Sequence, residues 1–320
     1  MNIVSFLKEN NLHIFLAKVY FKMYSLGLIS FNDIQYNGNI KDDISIIKCP
    51  DRRNPEIPKI VWMYWDGCDK EVSFFSSDIK SKNPTWDVRV LNRSSLKNYL
   101  PKFNFTSLNM PLANITDLIR LELLFEYGGV WIDYTTVLTQ PLEFFINIEN
   151  KEKYDVIAYY RKVSTIDLNS PAMESWFLAA PKKSQFIKEC LIEFDDVKKI
   201  GSKLFFRKMS NRNDFHIIKQ NISPLEYLIV YLVFQIVMRY KDVNLYLRIS
   251  DDSAFLIQDT LGWRAHKSSI IFFIKDMPEK KSPIYKLTSG DRQYMSIIKK
   301  SFLNKKSILG SIMGDSEKDL

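Results

Sequence analysis

Residues 114–138 decide the fold class that this sequence predicts, and they read Asn-Ile-Thr-Asp-Leu-Ile-Arg-Leu-Glu-Leu-Leu-Phe-Glu-Tyr-Gly-Gly-Val-Trp-Ile-Asp-Tyr-Thr-Thr-Val-Leu. Apolar side chains fill most of the first half, which is typical of a helix that is buried on most sides. Asn114 or Thr116 can cap the start of this helix, and Gly128 suits the left-handed position just past its end. The stretch therefore predicts a buried helix that stops at a pair of glycines.

A short apolar strand follows the glycines and delivers Asp133, which is followed by Thr135 and Thr136. Open α/β sheets bind their ligands at the carboxyl ends of the strands. One carboxylate followed by two hydroxyls suits a hard divalent ion, which would bridge a diphosphate and neutralise a leaving group. The alternative is a solvated acid in the turn after a strand.

Asp117 and Arg120 lie three residues apart and therefore on one face of the predicted helix. A buried charge needs a partner, and each of these side chains can serve as the partner of the other. Arg also suits planar bidentate contacts, so the pair can hold a ribose or sugar hydroxyl and a phosphate. A purely structural ion pair is the alternative.

Strands and helices alternate before this stretch. The patterns predict a strand at 57–66, a helix at 70–82, a strand at 86–91 and a short helix at 94–100. With the helix and strand described above, this order predicts a Rossmann-like α/β architecture.

Later segments follow the same patterns. They predict strands at 155–160 and 176–180, helices at 184–198 and 224–239, and a late strand at 268–274. The apolar run inside 224–239 is shorter than the roughly 20 residues that a membrane span needs, so we expect a buried helix and no transmembrane segment.

The two ends of the chain differ from its middle. Residues 1–30 predict one or two amphipathic helices that either pack on the domain or a partner, or lie on a membrane surface. Residues 31–56 are polar and predict a linker. Residues 296–309 are basic, and we expect residues 313–320 to form a disordered polar tail.

The composition narrows the class of protein. The net charge of +8 suits anionic partners such as nucleotide diphosphates, nucleic acid or a membrane face, or it simply keeps the surface soluble. The lysines are dispersed, which disfavours a nucleic-acid binder. Three cysteines and three histidines lack the spacing of a metal site, and so few cysteines indicate a reducing compartment. The first residues do not have the pattern of a signal peptide.

Two further features suggest ligand contacts. Trp65, at the carboxyl end of the first strand, can stack on a base or can be a core aromatic. Trp131 fits a core or wall position. The loop 285–292, Tyr-Lys-Leu-Thr-Ser-Gly-Asp-Arg, places two cations and two hydroxyls around a glycine and can close over a diphosphate as a lid; the alternative is an ordinary polar loop.

These segments carry a family likeness. Residues 116–120 (Thr-Asp-Leu-Ile-Arg) and 127–133 (Tyr-Gly-Gly-Val-Trp-Ile-Asp) resemble the sugar-binding region of glycosyltransferases with a DXD motif, the group of the Och1-type mannosyltransferases and the clostridial glucosylating toxins. Residues 57–67, 174–180 and 283–292 resemble the bacterial capsular polysaccharide synthesis branch of that group. The likeness spans about residues 55–295.

The resemblance implies an α/β GT-A fold with extra helices at the N-terminus and in the C-terminal half. It further implies a nucleotide-sugar donor such as a UDP-sugar, Mn²⁺ or Mg²⁺, and transfer with retention. The sequence departs from the motif at its last position, because Thr135 replaces the second acid. A hydroxyl is a weaker ligand than a carboxylate, so the ion would depend more on Asp133, the diphosphate and water.

The resemblance also gives each candidate residue a role. The donor-binding set is Trp65, Asp117, Arg120, Trp131 and Thr135. The metal-binding pair is Asp133 and Thr135. The catalytic set is Asp133, Lys286 and Arg292, the last two stabilising the departing diphosphate, with Glu174 as a carboxylate on the acceptor side.

The sequence therefore predicts an N-terminal helical extension and linker at 1–54, a catalytic domain at 55–295 and a basic tail at 296–320. The predicted protein is a cytoplasmic bacterial hexosyl- or N-acetylhexosaminyltransferase that extends a capsule, lipopolysaccharide or lipid-linked glycan, either soluble or peripheral on the inner face of the membrane. The alternative is a non-catalytic subunit that binds a nucleotide sugar or glycan in a polysaccharide synthesis complex, which the missing second acid favours.

Overall fold

The computed structural model describes residues 12–38, 42–67, 73–105 and 108–313. Predictions that fall on Cys68, on Lys70, on residues 1–11 or on residues 314–320 lie outside the described residues. The described strands are β1 (Ile44–Ile47), β2 (Ile60–Tyr64), β3 (Asp87–Leu91), β4 (Gly129–Ile132), β5 (Thr136–Leu138), β6 (Val156–Tyr160), β7 (Met173–Ala180), β8 (Asn244–Ile249) and β9 (Ile284–Lys286).

The α-helices lie before, between and after these strands along the chain. They are α1 (Leu12–Ser25), α2 (Ser73–Lys82), α3 (Leu112–Tyr127), α4 (Glu143–Ile146), α5 (Gln185–Ile200), α6 (Ser202–Ser210), α7 (Phe215–Ile218), α8 (Ile229–Tyr240), α9 (Leu256–Thr260), α10 (Ala265–Phe273), α11 (Ser289–Arg292), α12 (Met295–Ser301) and α13 (Gly310–Met313). Short 3₁₀ turns lie at Ser95–Asn98 and Lys151–Lys153.

The main sheet has seven strands in the order β1-β8-β6-β7-β4-β2-β3. β2 runs parallel to both β3 and β4, and β6 runs parallel to β8. The pairs β1–β8, β4–β7 and β6–β7 are antiparallel. The α/β class predicted from the sequence is therefore confirmed, and the sheet is mixed. Every residue of β4, β6 and β7 is buried, as expected for strands covered on both faces.

The contact pattern divides the chain into two compact units. Among the described residues, the sheet unit holds 42–134 and 140–251, and the smaller unit holds 12–38, 135–139 and 252–313. The sheet unit contains all seven strands of the main sheet, and the smaller unit contains the antiparallel pair β5–β9. The predicted domain limits at 54 and 295 stay a prediction.

A glycine pair turns α3 directly into β4. Gly128 has φ 68° and Gly129 has φ 101°, a region that residues with side chains rarely adopt. A Cβ on Gly128 would lie 2.6 Å from the backbone nitrogen of Lys182, and one on Gly129 would lie 2.5 Å from the carbonyl oxygen of Ile60. The predicted glycine stop is confirmed, and both positions leave no room for a side chain.

The start of α3 differs from the prediction. The helix begins at Leu112, so neither Asn114 nor Thr116 caps it, and Thr116 instead donates a hydrogen bond to the Leu112 carbonyl. The buried Asn114 side chain donates to the carbonyl of Tyr227 at 3.0 Å and accepts from the Ser202 hydroxyl at 2.7 Å. Tertiary contacts therefore use the polar group that local sequence reasoning assigned to a cap.

Three other assignments are corrected. The predicted strand at 268–274 lies mostly in α10, where Ser269 donates a hydrogen bond to the Ala265 carbonyl one turn back. A short apolar run is ambiguous because buried helices and buried strands share it. The predicted linker at 31–56 contains the edge strand β1, and the predicted loop at 285–292 contains the end of β9 and all of α11.

The most apolar helix, α8, is buried from Ile229 to Met238, as predicted, although it begins later than residue 224. Within the described residues, no helix is both long and apolar enough to cross a membrane.

Candidate active site

The carboxyl end of β4 places the Asp133 carboxylate beside the indole nitrogen of Trp131. The Asp133 amide donates to the Trp176 carbonyl at 2.8 Å, which extends the pairing of β4 with β7 by one residue. The indole nitrogen of Trp131 donates to Oδ1 of Asp133 at 3.0 Å. The Asp133 side chain keeps 31% of its surface exposed, so the carboxylate is anchored and at the same time partly accessible.

Arg120, on α3, lies buried against this carboxylate. One terminal nitrogen donates to the Ser175 carbonyl at 2.6 Å and lies 3.3 Å from Oδ1 of Asp117. The other terminal nitrogen lies 3.3 Å from Oδ1 of Asp133. The guanidinium carbon is 5.0 Å from the centroid of the Trp131 ring. The predicted Asp117–Arg120 pair exists, and it is joined to Asp133 through the same guanidinium.

This cluster has more negative charge than positive charge. Burial raises the pKa of Asp117 to about 6, Arg120 opposes that shift, and Asp133 adds to it. The Nε atom of Arg120 is buried and has no hydrogen-bond partner among the described residues. A ligand that brings hydroxyls or a cation to this end of the sheet would therefore meet groups able to bind it.

Glu174, the predicted acceptor-side carboxylate, lies in β7 and is buried. The Tyr231 hydroxyl, from α8, donates to its Oε2 at 2.5 Å. Burial and the neighbouring Glu174 raise the pKa of Tyr231 well above its usual value. Sequence reasoning took Tyr231 as part of an apolar helix; the only available signal was a hydroxyl inside an otherwise apolar run.

Trp65 follows β2 directly, and its amide donates a hydrogen bond to the Leu91 carbonyl at 2.8 Å. Its ring lies 5.4 Å from the ring of Tyr134 at an interplanar angle of 31°. A Cβ on Gly67 would lie 2.8 Å from the indole nitrogen, so the glycine permits this position of the ring. Tyr134, the middle residue of the motif, was not singled out in the sequence.

In the smaller unit, Lys286 and Thr135 lie together. The Thr135 hydroxyl donates to the Leu287 carbonyl at 3.0 Å. The Lys286 ammonium donates to the same carbonyl at 2.9 Å and to the Thr135 hydroxyl at 3.3 Å. The hydroxyl that stands in place of the second acid of the motif is thus bonded within its own unit and lies beside a cation.

Asp291 organises the loop that sequence analysis proposed as a lid. Its carboxylate accepts from the backbone and hydroxyl of Thr288 at 2.8 and 2.7 Å, from Gln258 at 2.9 Å, and from the Ser268 hydroxyl. With the reciprocal bond to the Asp291 amide, Thr288 and Asp291 form a capping box at the start of α11, the helix that carries Arg292. This structural role of Asp291 was not predicted.

The candidate metal ligands, Asp133 and Thr135, fit a divalent ion only in part. The described residues contain no group of three or more His, Cys, Asp or Glu side chains that would hold a metal. Mg²⁺ in nucleotide sites is, however, commonly held by one or two carboxylates together with substrate phosphates and water. The partly exposed Asp133 matches that mode, whereas the bonded Thr135 hydroxyl matches it less well.

Comparison with known proteins shows the family to which the chain belongs. A family model described as "Capsular polysaccharide synthesis protein" matches residues 34–305. The chain therefore belongs to the capsular polysaccharide synthesis protein family. No curated protein matches the sequence.

Two solved structures are similar in part. One is described as the PaToxG glycosyltransferase, with 12% identity and a TM-score of 0.32, covering 75% of this chain and 84% of that one. The other is the catalytic domain of alpha-toxin from Clostridium novyi, with 10% identity and a TM-score of 0.31, covering 68% of this chain and 71% of that one.

Proposed function

We propose that this protein is a GT-A glycosyltransferase that moves a sugar from a nucleotide donor, such as a UDP-sugar, to a glycan acceptor in polysaccharide synthesis. The observation that carries the proposal is the position of Arg120, whose buried guanidinium joins Asp117 to the partly exposed Asp133 at the end of β4. Its Nε keeps an N–H for which the described part of the chain supplies no acceptor. Family membership supports the same reading.

In this proposal Asp117 and Arg120 hold the ribose or sugar hydroxyls, because a buried carboxylate and a guanidinium offer acceptors and donors in a fixed arrangement. Trp131 orients Asp133 through its indole N–H. Asp133 would hold Mn²⁺ or Mg²⁺ together with the donor phosphates, and such an ion neutralises charge on the departing diphosphate.

The remaining roles follow from the motif likeness. Trp65 stacks on the base, and Lys286 and Arg292 stabilise the diphosphate. Thr135 fits best as the residue that orients the Lys286 ammonium, given their hydrogen bond. Glu174 is buried, so it fits a supporting role better than direct contact with an acceptor. The motif likeness implies retention, and we assign no carboxylate among the described residues as a nucleophile, so we propose front-face transfer, in which the leaving phosphate helps to deprotonate the acceptor.

A non-catalytic subunit that binds nucleotide sugar is the second candidate. The specific observation in its favour is that the described part of the chain groups no three carboxylate, histidine or cysteine ligands for a metal. The two candidates differ in turnover, because a binding subunit would retain donor affinity without releasing the sugar.

The test uses the purified full chain and a panel of nucleotide sugars, with donor binding followed by thermal shift and turnover followed by release of the nucleoside diphosphate. Mn²⁺-dependent turnover that is lost in Asp133→Ala and kept in Asp87→Ala, an exposed carboxylate in β3, is expected. Binding without turnover favours the second candidate. Binding and turnover that are both unchanged in Asp133→Ala would remove the metal role, and no binding of any donor would overturn the proposal.

A further inference from the structure

Helix α1 has one buried side and one exposed apolar side. Ala17 and Phe21 are buried within the smaller unit, with 4% and 0% of their surface exposed. Phe15, Leu16 and Val19 are apolar as well, yet they are 61%, 51% and 42% exposed. The helix is therefore apolar on a side that the described residues of its own unit do not cover.

The exposed residues form one stripe. Phe15 and Val19 are one helical turn apart, and Leu16 lies beside them at 100° around the axis. Just past the end of α1, Leu26 and Leu28 are 60% and 67% exposed. Single exposed apolar residues are common on soluble proteins, whereas a contiguous set indicates an interaction surface. We call Phe15, Leu16 and Val19 the α1 stripe.

The border of the stripe is cationic. Lys18 and Lys22 are exposed and lie one turn apart on the edge next to Phe15, and α1 contains no acidic residue. On the other edge of the stripe, the ring of Tyr20 packs edge-on against the ring of His266 at 4.9 Å. An apolar centre with lysines at its edge is the pattern of a helix that lies in a bilayer interface.

The charge of the whole unit has the same sign. The described residues of the smaller unit contain thirteen Lys and Arg and six Asp and Glu, a formal charge of +7. Over the entire chain, Lys and Arg exceed Asp and Glu by only 8. The basic excess is thus concentrated in the unit that carries the stripe, which favours an anionic surface as its partner.

We propose that the α1 stripe docks the protein on the surface of an anionic lipid bilayer. Phe15, Leu16 and Val19 enter the boundary between headgroups and acyl chains, while Lys18 and Lys22 reach the lipid phosphates. The contact is peripheral, and it is independent of donor chemistry. A face that paired with a second copy of this chain would have to bring its own lysines together, so the cationic border disfavours self-association.

The test is sedimentation of the full chain with vesicles of phosphatidylcholine alone, or with vesicles in which part of it is replaced by phosphatidylglycerol. Binding is expected only to the anionic vesicles, with affinity falling as salt increases. Leu16→Glu should weaken the partition about tenfold or more, because it places a charge at the apolar centre. Lys18→Glu with Lys22→Glu should weaken it comparably.

The matched control is Leu204→Glu, because Leu204 lies on α6 in the sheet unit and is 53% exposed, close to the 51% of Leu16. This variant should bind vesicles as the unmodified chain does. Donor turnover should be the same in all these variants, which separates this test from the proposed activity. Equal weakening by Leu204→Glu, no preference for anionic vesicles, or a concentration-dependent dimer that Leu16→Glu abolishes without vesicle binding would each overturn the proposal.

Discussion

The Tyr231 hydroxyl donates to Glu174 at 2.5 Å in the interior of the sheet unit, which joins helix α8 to strand β7. The next residue of β7, Ser175, accepts the hydrogen bond of Arg120 through its carbonyl oxygen at 2.6 Å. Two consecutive residues of one strand therefore anchor a side chain from α8 and a side chain from α3. The position of Arg120 depends on β7 as much as on its own helix.

Tyr231→Phe removes a hydrogen bond from a buried carboxyl group. We expect the free energy of unfolding to fall by about 1–3 kcal/mol, because the carboxyl loses a donor that water cannot replace. Urea unfolding measures the change. Tyr227→Phe is the control, since Tyr227 is 58% exposed and should change stability by no more than about 0.5 kcal/mol. Equal effects in both variants would contradict the proposed importance of this bond.

Arg120→Lys tests whether function requires the two terminal nitrogens of the guanidinium to contact different partners. Its two terminal nitrogens reach Ser175, Asp117 and Asp133, and a single ammonium lacks the planar geometry to meet all three. We expect kcat/KM for donor turnover to fall about 100-fold. Arg53→Lys is the control, because Arg53 is exposed and bonds only to backbone carbonyls nearby. A change of similar size in both variants would indicate a general effect of the substitution.

The buried Asp117 makes stability depend on pH. Burial raises the pKa of this carboxyl from 3.8 to about 6 in the folded protein, despite the opposing charge of Arg120. Between those values the folded state binds a proton that the unfolded state has released, so this contribution to stability is complete below the unfolded pKa and is lost as the pH rises through about 6.

Asp117→Asn cannot titrate and serves as the reference for this effect. From about pH 4 to about pH 7.5, the unmodified chain should lose on the order of 2 kcal/mol relative to the variant, because part of the unfolded carboxyl is already ionised at pH 4. Urea unfolding of both proteins at each pH gives the difference. Parallel stability curves for the two proteins would show that Asp117 does not carry the shift.

Gly67→Ala tests the position of Trp65 without altering the indole. The added Cβ would lie 2.8 Å from the indole nitrogen, so the ring must move. If the ring stacks on the base, we expect the Kd for UDP to rise about tenfold, measured by calorimetry. Ser77→Ala, at an exposed position of α2, should leave the Kd unchanged. An unchanged Kd in Gly67→Ala, with a normal thermal midpoint, would argue against stacking by Trp65.

Asp291→Asn tests the hydrogen-bond network of the proposed lid loop. The substitution replaces one acceptor oxygen with an NH₂ donor, which faces either the Ser268 hydroxyl or the donors of Gln258 and Thr288. We expect a loss of about 2 kcal/mol or more in the free energy of unfolding, followed by urea. Ser289→Ala, exposed in the same short helix, should cost less than about 0.5 kcal/mol.

Local patterns were sufficient to predict β2, α3, β4 and the position of Asp133. Each of these elements has an apolar run of suitable length with glycine or proline at its border, so the signal is contained in the segment itself. The Asp117–Arg120 pair was predictable for the same reason, because helical spacing sets it. Local information thus supplied the elements that lead to the site.

Features that depend on distant partners were not predictable from one segment. Edge strand β1 forms by pairing with β8 across about 200 residues of chain. Tyr231 acquires its role from Glu174, and Asp291 acquires its role from Gln258 and Ser268. In each case the residues are of common types, and only the folded structure shows which distant residue each of them contacts.

The glycine pair at 128–129 and Asp133 limit substitution in related sequences for different reasons, the first through shape and the second through the proposed function. Any side chain there meets the backbone of Lys182 or Ile60, so substitution is barred by shape whether or not the protein is active. Asp133, by contrast, is partly exposed and can change without obstructing the chain. A relative that keeps both glycines and has lost the acid is expected to be a folded protein that no longer performs the reaction. The glycines therefore mark the relatives that keep this fold, and under the proposed function the acid marks those that remain enzymes.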